Sequence, residues 1–154
     1  EDNRLVNAKL LAALRNNLLP IMCFGETYAE KTAGKTSAVI VKALQEGLAG
    51  ISRETMHKVI VAYEPVWAIS TNKDNKGAPA TPAEANQIHQ LIRSVLKEMY
   101  GPEVANATPI LYGGSVKAEN AKAFFSQSDI DGCLVGGASL KKESFVGIIE
   151  AAKQ

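Results

Sequence analysis

Four short runs, apolar throughout, constrain this chain most: Leu19-Pro20-Ile21-Met22-Cys23-Phe24, Val59-Ile60-Val61-Ala62-Tyr63, Pro109-Ile110-Leu111-Tyr112 and Gly132-Cys133-Leu134-Val135. Each is too short for a helix and reads as a strand covered on both faces. Stretches of helical periodicity lie between them. Val6, Leu10, Ala13, Leu14 and Asn17 space a helix over 3–17, ended by Asn16-Asn17. Ile40, Ala43, Leu44 and Leu48 mark a second helix, closed by Gly50. The clearest opens at Thr81-Pro82-Ala83-Glu84, a capping box with proline at the first helical position. Its buried stripe is Ala85, Ile88, Ile92, Val95, Leu96 and Met99, and Gly101-Pro102 stops it. Two more helices carry Ala121, Phe124 and Phe125, and Phe145, Ile148, Ile149 and Ala152. The order is a helix, then strand-helix four times, which implies an α/β fold with a parallel sheet and right-handed crossovers.

At 154 residues the chain suits one domain, 1–154, and is short for two. Four parallel strands are half of a closed barrel. Such a half-barrel leaves its inner face wet and two strand edges unpaired. Missing sequence, a second copy or another chain must cover them.

Composition narrows the function classes. A net charge of +1 with no Lys/Arg run beyond a pair such as Lys141-Lys142 predicts no nucleic-acid partner. No apolar run approaches the roughly 18–20 residues of a membrane span, so no membrane partner is expected. Neither a signal peptide nor a lipidation site is visible. Cys23 and Cys133, each inside an apolar run, read as buried thiols of a reducing cytosol, so the expected location is cytoplasmic. They form no metal pattern with His57 or His89, and both histidines read as solvated surface residues. Metal: none.

Glu64 ends the second strand, and Pro65 bars helical geometry after it. In parallel α/β folds the carboxyl ends of strands form the mouth where chemistry happens, so Glu64 is a candidate general base. A structural carboxylate paired with a basic neighbour fits Glu64 equally well at this point. The third and fourth strands run into paired glycines, Gly113-Gly114-Ser115 and Gly136-Gly137-Ala138-Ser139. Glycine lets backbone approach a ligand, and a following helix start offers unpaired N–H groups to an anion. Either turn alone reads as a tight turn; two on adjacent strands favour a phosphate site. Trp67 reads as an apolar anchor for its loop, Cys23 as core, and Lys73, Asp74 and Lys76 as a solvated loop.

Taken together, Ala62-Tyr63-Glu64-Pro65-Val66-Trp67-Ala68-Ile69, Ala80-Thr81-Pro82, Tyr112-Gly113-Gly114-Ser115-Val116 and Leu134-Val135-Gly136-Gly137-Ala138-Ser139-Leu140 resemble triosephosphate isomerase. Cys23-Phe24-Gly25-Glu26-Thr27 matches the strand before them. The resemblance covers essentially the whole chain, but only the C-terminal three-fifths of that enzyme. It implies the C-terminal portion of a TIM (β/α)8 barrel. It also implies an isomerase of glycolysis and gluconeogenesis that interconverts dihydroxyacetone phosphate and glyceraldehyde 3-phosphate without a cofactor. By resemblance Glu64 is the base; Ser70, Gly114, Ser115, Gly136 and Gly137 hold the substrate phosphate. Pro65, Val66 and Trp67 form the first hinge of a lid, and Tyr112 latches it.

Two departures stand out. The stretch from Ile69 to Pro79 is about five residues longer than the family's lid, with Ser70 and Asn72 in place of glycines. The family's asparagine, substrate-binding lysine and carbonyl-polarising histidine, like the segment that interlocks its dimer, fall upstream of residue 1. The isolated chain is therefore expected to be inactive. Three explanations stay open: a piece of a longer enzyme, favoured by the opening Glu1-Asp2 without methionine; a split enzyme working with an N-terminal half; or an inert, self-associating half-barrel or phosphate-binding module. The expected partner is a complementing N-terminal half or a second copy.

Overall fold

The computed structural model describes residues 1–69 and 79–153. Its sheet has four parallel strands in the order β1 (Ile21–Phe24), β2 (Ile60–Tyr63), β3 (Ile110–Tyr112) and β4 (Gly132–Cys133). The register sets Cys23 beside Ala62, Ala62 beside Leu111, and Leu111 beside Gly132. Helices follow the strands: α1 (Asn3–Arg15) precedes β1, and α2 (Tyr28–Thr32) and α3 (Thr36–Gly47) follow it. After β2 come α4 (Pro82–Tyr100) and α5 (Pro102–Ala107), after β3 comes α6 (Ala118–Phe125), and α7 (Lys142–Ala152) follows β4. This is the expected partial (β/α) barrel.

Local chemistry sets the element boundaries. Asn17 at φ 56° and Gly50 at φ 75° break the ends of α1 and α3 with left-handed backbone. The Thr81/Glu84 capping box starts α4: the Thr81 hydroxyl accepts from the Glu84 N–H at 3.2 Å, while the Glu84 carboxylate accepts from the Thr81 N–H at 2.9 Å. The same box at Thr27 and Glu30 starts α2. Gly101-Pro102 does stop α4, yet Pro102 is also the first residue of α5.

The core lies between sheet and helices. Ile40 and Leu44 of α3, Ile92 and Leu96 of α4, and Phe124 of α6 pack onto Val61, Tyr63, Ile110 and Tyr112. The other face of the sheet is only partly covered: Ile21 is 43% exposed and Cys23 beside Ala62 is exposed, while Ala62 itself is buried. On α7 only Ile148 is buried, and Phe145, Val146 and Ile149 are exposed.

Two sequence readings are corrected. Cys23 is exposed and Cys133 only half-buried, because both lie on strands at the sheet's uncovered edges. His89 is fully buried, not solvated: it sits in α4 on the same face as Ala85, Ile92 and Leu96. Spacing of four, three and four residues carries that face through His89. Its Nδ1 lies 3.2 Å from the Asp129 carbonyl, its ring meets Tyr63 edge-on, and burial pulls it down to about 4, so it is neutral at pH 7. Among the described residues no helix is long and apolar enough to cross a membrane, and no group of His, Cys, Asp and Glu side chains could hold a metal.

Candidate active site

Glu64 leaves β2 at the C-terminal end of the sheet. Its N–H donates to the Phe24 carbonyl at 2.8 Å, extending the β1–β2 ladder by one bond. Gly25 packs flat against it: a β-carbon there would lie 1.9 Å from the Glu64 carbonyl oxygen. On the other side the side chain crosses Gly113, whose N–H donates to the Tyr63 carbonyl at 2.8 Å. The carboxylate makes no ion pair among the described residues, which removes the reading of Glu64 as half of a structural salt bridge. Desolvation raises its carboxyl above the usual range, and a hydrogen bond from Cys23 works against that. The Cys23 thiol in turn is pushed up to about 11, first by partial desolvation against the strand and then by the adjacent Glu64. A partly desolvated carboxylate without a cation beside it is suited to taking and returning a proton.

The residues after Glu64 are held by one buried acid. Glu26, 1% exposed, accepts from Trp67 Nε1 at 2.9 Å and from the Tyr63 hydroxyl at 3.1 and 3.2 Å. Its backbone carbonyl accepts from the Val66 N–H at 3.1 Å. Lys31 lies 3.4 Å above the Trp67 ring and 3.6 Å from Glu84 Oε1, so the segment after Glu64, α2 and the start of α4 share one contact. Trp67 is buried, consistent with an anchor for its loop. Sequence reading passed over Glu26; its signal was a lone carboxylate at the end of an otherwise apolar strand, the same signal that singled out Glu64.

The two glycine turns line one cavity of about 340 Å³, together with Ser115, Ile69, Lys117 and Lys141. None of the four turn glycines has positive φ. Gly113 and Gly114 are explained by close approach: a β-carbon on Gly114 would lie 2.1 Å from the Tyr112 hydroxyl. Gly136 and Gly137 are different. A β-carbon on either would meet nothing within 4 Å, and both are exposed to the cavity. Packing does not require glycine at either position, and the missing side chains leave the cavity wall free for close approach of a ligand.

Ser115 is tied to the segment after Glu64, its hydroxyl donating to the Ala68 carbonyl at 2.8 Å. Tyr112 stacks on Phe124 at 4.4 Å, and its buried hydroxyl has no partner among the described residues. Ser70 and the lengthened stretch after it lie outside the described residues. The remaining expected site residues converge: Glu64, Pro65, Val66, Trp67, Tyr112, Gly114, Ser115, Gly136 and Gly137 all lie at or just after the C-terminal ends of β2, β3 and β4.

Comparison with known proteins adds an independent line. A family model described as triosephosphate isomerase matches residues 1–152. The triosephosphate isomerase of Fusobacterium nucleatum subsp. nucleatum is 50% identical over 98% of this chain and 58% of its own length. That of Dictyoglomus thermophilum is 46% identical over 98% of this chain and 59% of its own. That of Treponema pallidum is 49% identical over 96% and 57%. The chain spans under three-fifths of the length of these curated relatives.

Proposed function

The chain belongs to the triosephosphate isomerase family, and from that premise we propose that it carries the base and the phosphate-binding part of an aldose–ketose isomerase. Glu64 takes a proton from the carbon beside the carbonyl of a three-carbon phosphate ester and returns it to the neighbouring carbon. Gly114, Ser115, Gly136 and Gly137, with Ser70, hold the phosphate; Pro65, Val66 and Trp67 hinge a lid that Tyr112 latches. No cofactor takes part, because a proton transfer between adjacent carbons needs only a base and a polarised carbonyl.

The observation that carries this reading is the contact between Glu64 and the first glycine turn. Base and anion site are adjacent, so a small phosphorylated substrate spans them. Neither of the chain's two histidines serves as electrophile: His57 is exposed at the opposite end of β2, and His89 is sealed in the core. The isolated chain is accordingly inactive, and the open sheet face takes the family's N-terminal half as its partner. The setting is the cytoplasm, where Cys23 and Cys133 stay as free thiols.

An isomerase assay with and without a supplied N-terminal half tests this. Turnover is expected only in the mixture, and turnover by the 154 residues alone would refute the need for upstream groups. In the mixture, Glu64→Gln is expected to lower kcat by about 10²–10⁴ with KM changed only a few-fold. Unchanged kcat would remove Glu64 as base.

A further inference from the structure

Lys117 and Lys141 line the glycine-turn cavity from opposite sides, one directly before α6 and one directly before α7. A cation at the start of a helix faces the positive end of its dipole and is disfavoured there. Lys35 stands in the same position before α3, but the carboxylate of Glu30 feels its charge. Lys117 and Lys141 make no ion pair among the described residues. The nearest opposing charge lining the cavity is the single carboxylate of Glu119. Two unpaired cations against one carboxylate leave the cavity net positive, in a chain whose overall charge is only +1.

Such departures from local preference gather at functional sites. The groups assigned above to the phosphate are backbone N–H groups and a hydroxyl, all neutral. They match its shape and lone pairs but bring no positive charge of their own, and any charge supplied by this chain must come from other residues of the cavity. We propose that Lys117 and Lys141 supply that charge, drawing phosphorylated substrates to the glycine turns and setting their affinity. This rests on the phosphate reading of those turns. Both side chains are exposed, so they act at a distance through the field rather than by fixed hydrogen bonds.

The test is titration of the 154-residue chain with inorganic phosphate at pH 7.5, read from the amide resonances of Gly136 and Gly137. Lys117→Ala and Lys141→Ala are each expected to weaken binding about 3- to 10-fold at low ionic strength, as for a dianion several ångströms from each charge. The double variant is expected to lose most of the salt dependence. Lys117→Arg and Lys141→Arg should retain affinity, and Lys142→Ala, one residue outside the cavity lining, should not change it. Phosphate binding that persists within two-fold in the double variant, with an unchanged salt slope, overturns the role of the lysines and leaves the glycine site standing. No phosphate response in the unaltered chain overturns the glycine site as well.

Discussion

Gly113 and Glu64 share a space that admits only one side chain: a β-carbon on Gly113 would lie 2.4 Å from Cγ of Glu64 and 3.1 Å from its Oε1. Position and identity are thus coupled across β2 and β3. Gly113→Ala is expected to push the carboxylate out of line. With the N-terminal half supplied, kcat should fall about 10- to 100-fold, the usual cost of a displacement near 1 Å. The phosphate response of Gly136 and Gly137 should survive. Unchanged kcat would mean that the carboxylate has room to move aside.

Burial raises the Glu64 carboxyl, so between the ordinary carboxylate range and that raised value the native state holds a proton the unfolded chain has released. The stability tied to this proton is complete below the ordinary range and is lost as pH rises through the raised folded value. Glu64→Gln, neutral throughout, should therefore increase resistance to urea at pH 8. The gain should vanish below about pH 4. An equal gain at both pH values would point to packing instead of ionisation.

Glu26 satisfies two buried donors from the segment that follows it in space, Trp67 and Tyr63. Glu26→Ala leaves both without an acceptor and is expected to cost about 2–5 kcal/mol in chemical denaturation. Glu26→Gln keeps one acceptor and should cost less. Trp67 is the only tryptophan, so its emission reports the change directly. Lys31→Met should alter that emission too, at about 0.5–1 kcal/mol. Emission identical to the unaltered chain in Glu26→Ala would show that the indole is held by something else.

Arg93 gathers the far end of the sheet. Its guanidinium donates to the Ala105 carbonyl at 2.8 Å and to Asp131 Oδ2 at 2.7 Å, and Asp131 Oδ2 also accepts from the Ile110 N–H at 2.7 Å. Arg93→Ala removes the donor from the Ala105 and Asp129 carbonyls and the partner from a part-exposed Asp131, and is expected to cost about 1–3 kcal/mol. Arg93→Lys should recover little, since one ammonium cannot reach acceptors set apart like these. Full recovery by lysine would reduce the cluster to simple charge pairing.

The strand-helix order and the convergence of the expected site residues could be read from local pattern, because apolar runs, the Thr81 box and the glycine pairs act through neighbouring residues. His89 was misread because polar Gln87 and Gln90 beside it masked the helical face it shares with Ala85 and Ile92. Cys23 was misread for the opposite reason: an apolar run says that a strand wants cover, not that cover is present. Glu26 depends on which residues meet across some 40 positions of chain and the two cavity lysines across 24, and no local pattern carries that.

Ser115 gives its hydroxyl to the Ala68 carbonyl, one residue beyond Trp67. A phosphate that takes this hydroxyl must displace the bond, so filling the cavity and releasing the end of the hinge segment become a single equilibrium. Linkage makes the effect reciprocal: whatever tightens the hinge in its resting state weakens phosphate by the same factor, and whatever frees it strengthens phosphate. Affinity for a simple anion, measured far from any chemistry, thereby gauges how firmly the segment after Glu64 is held.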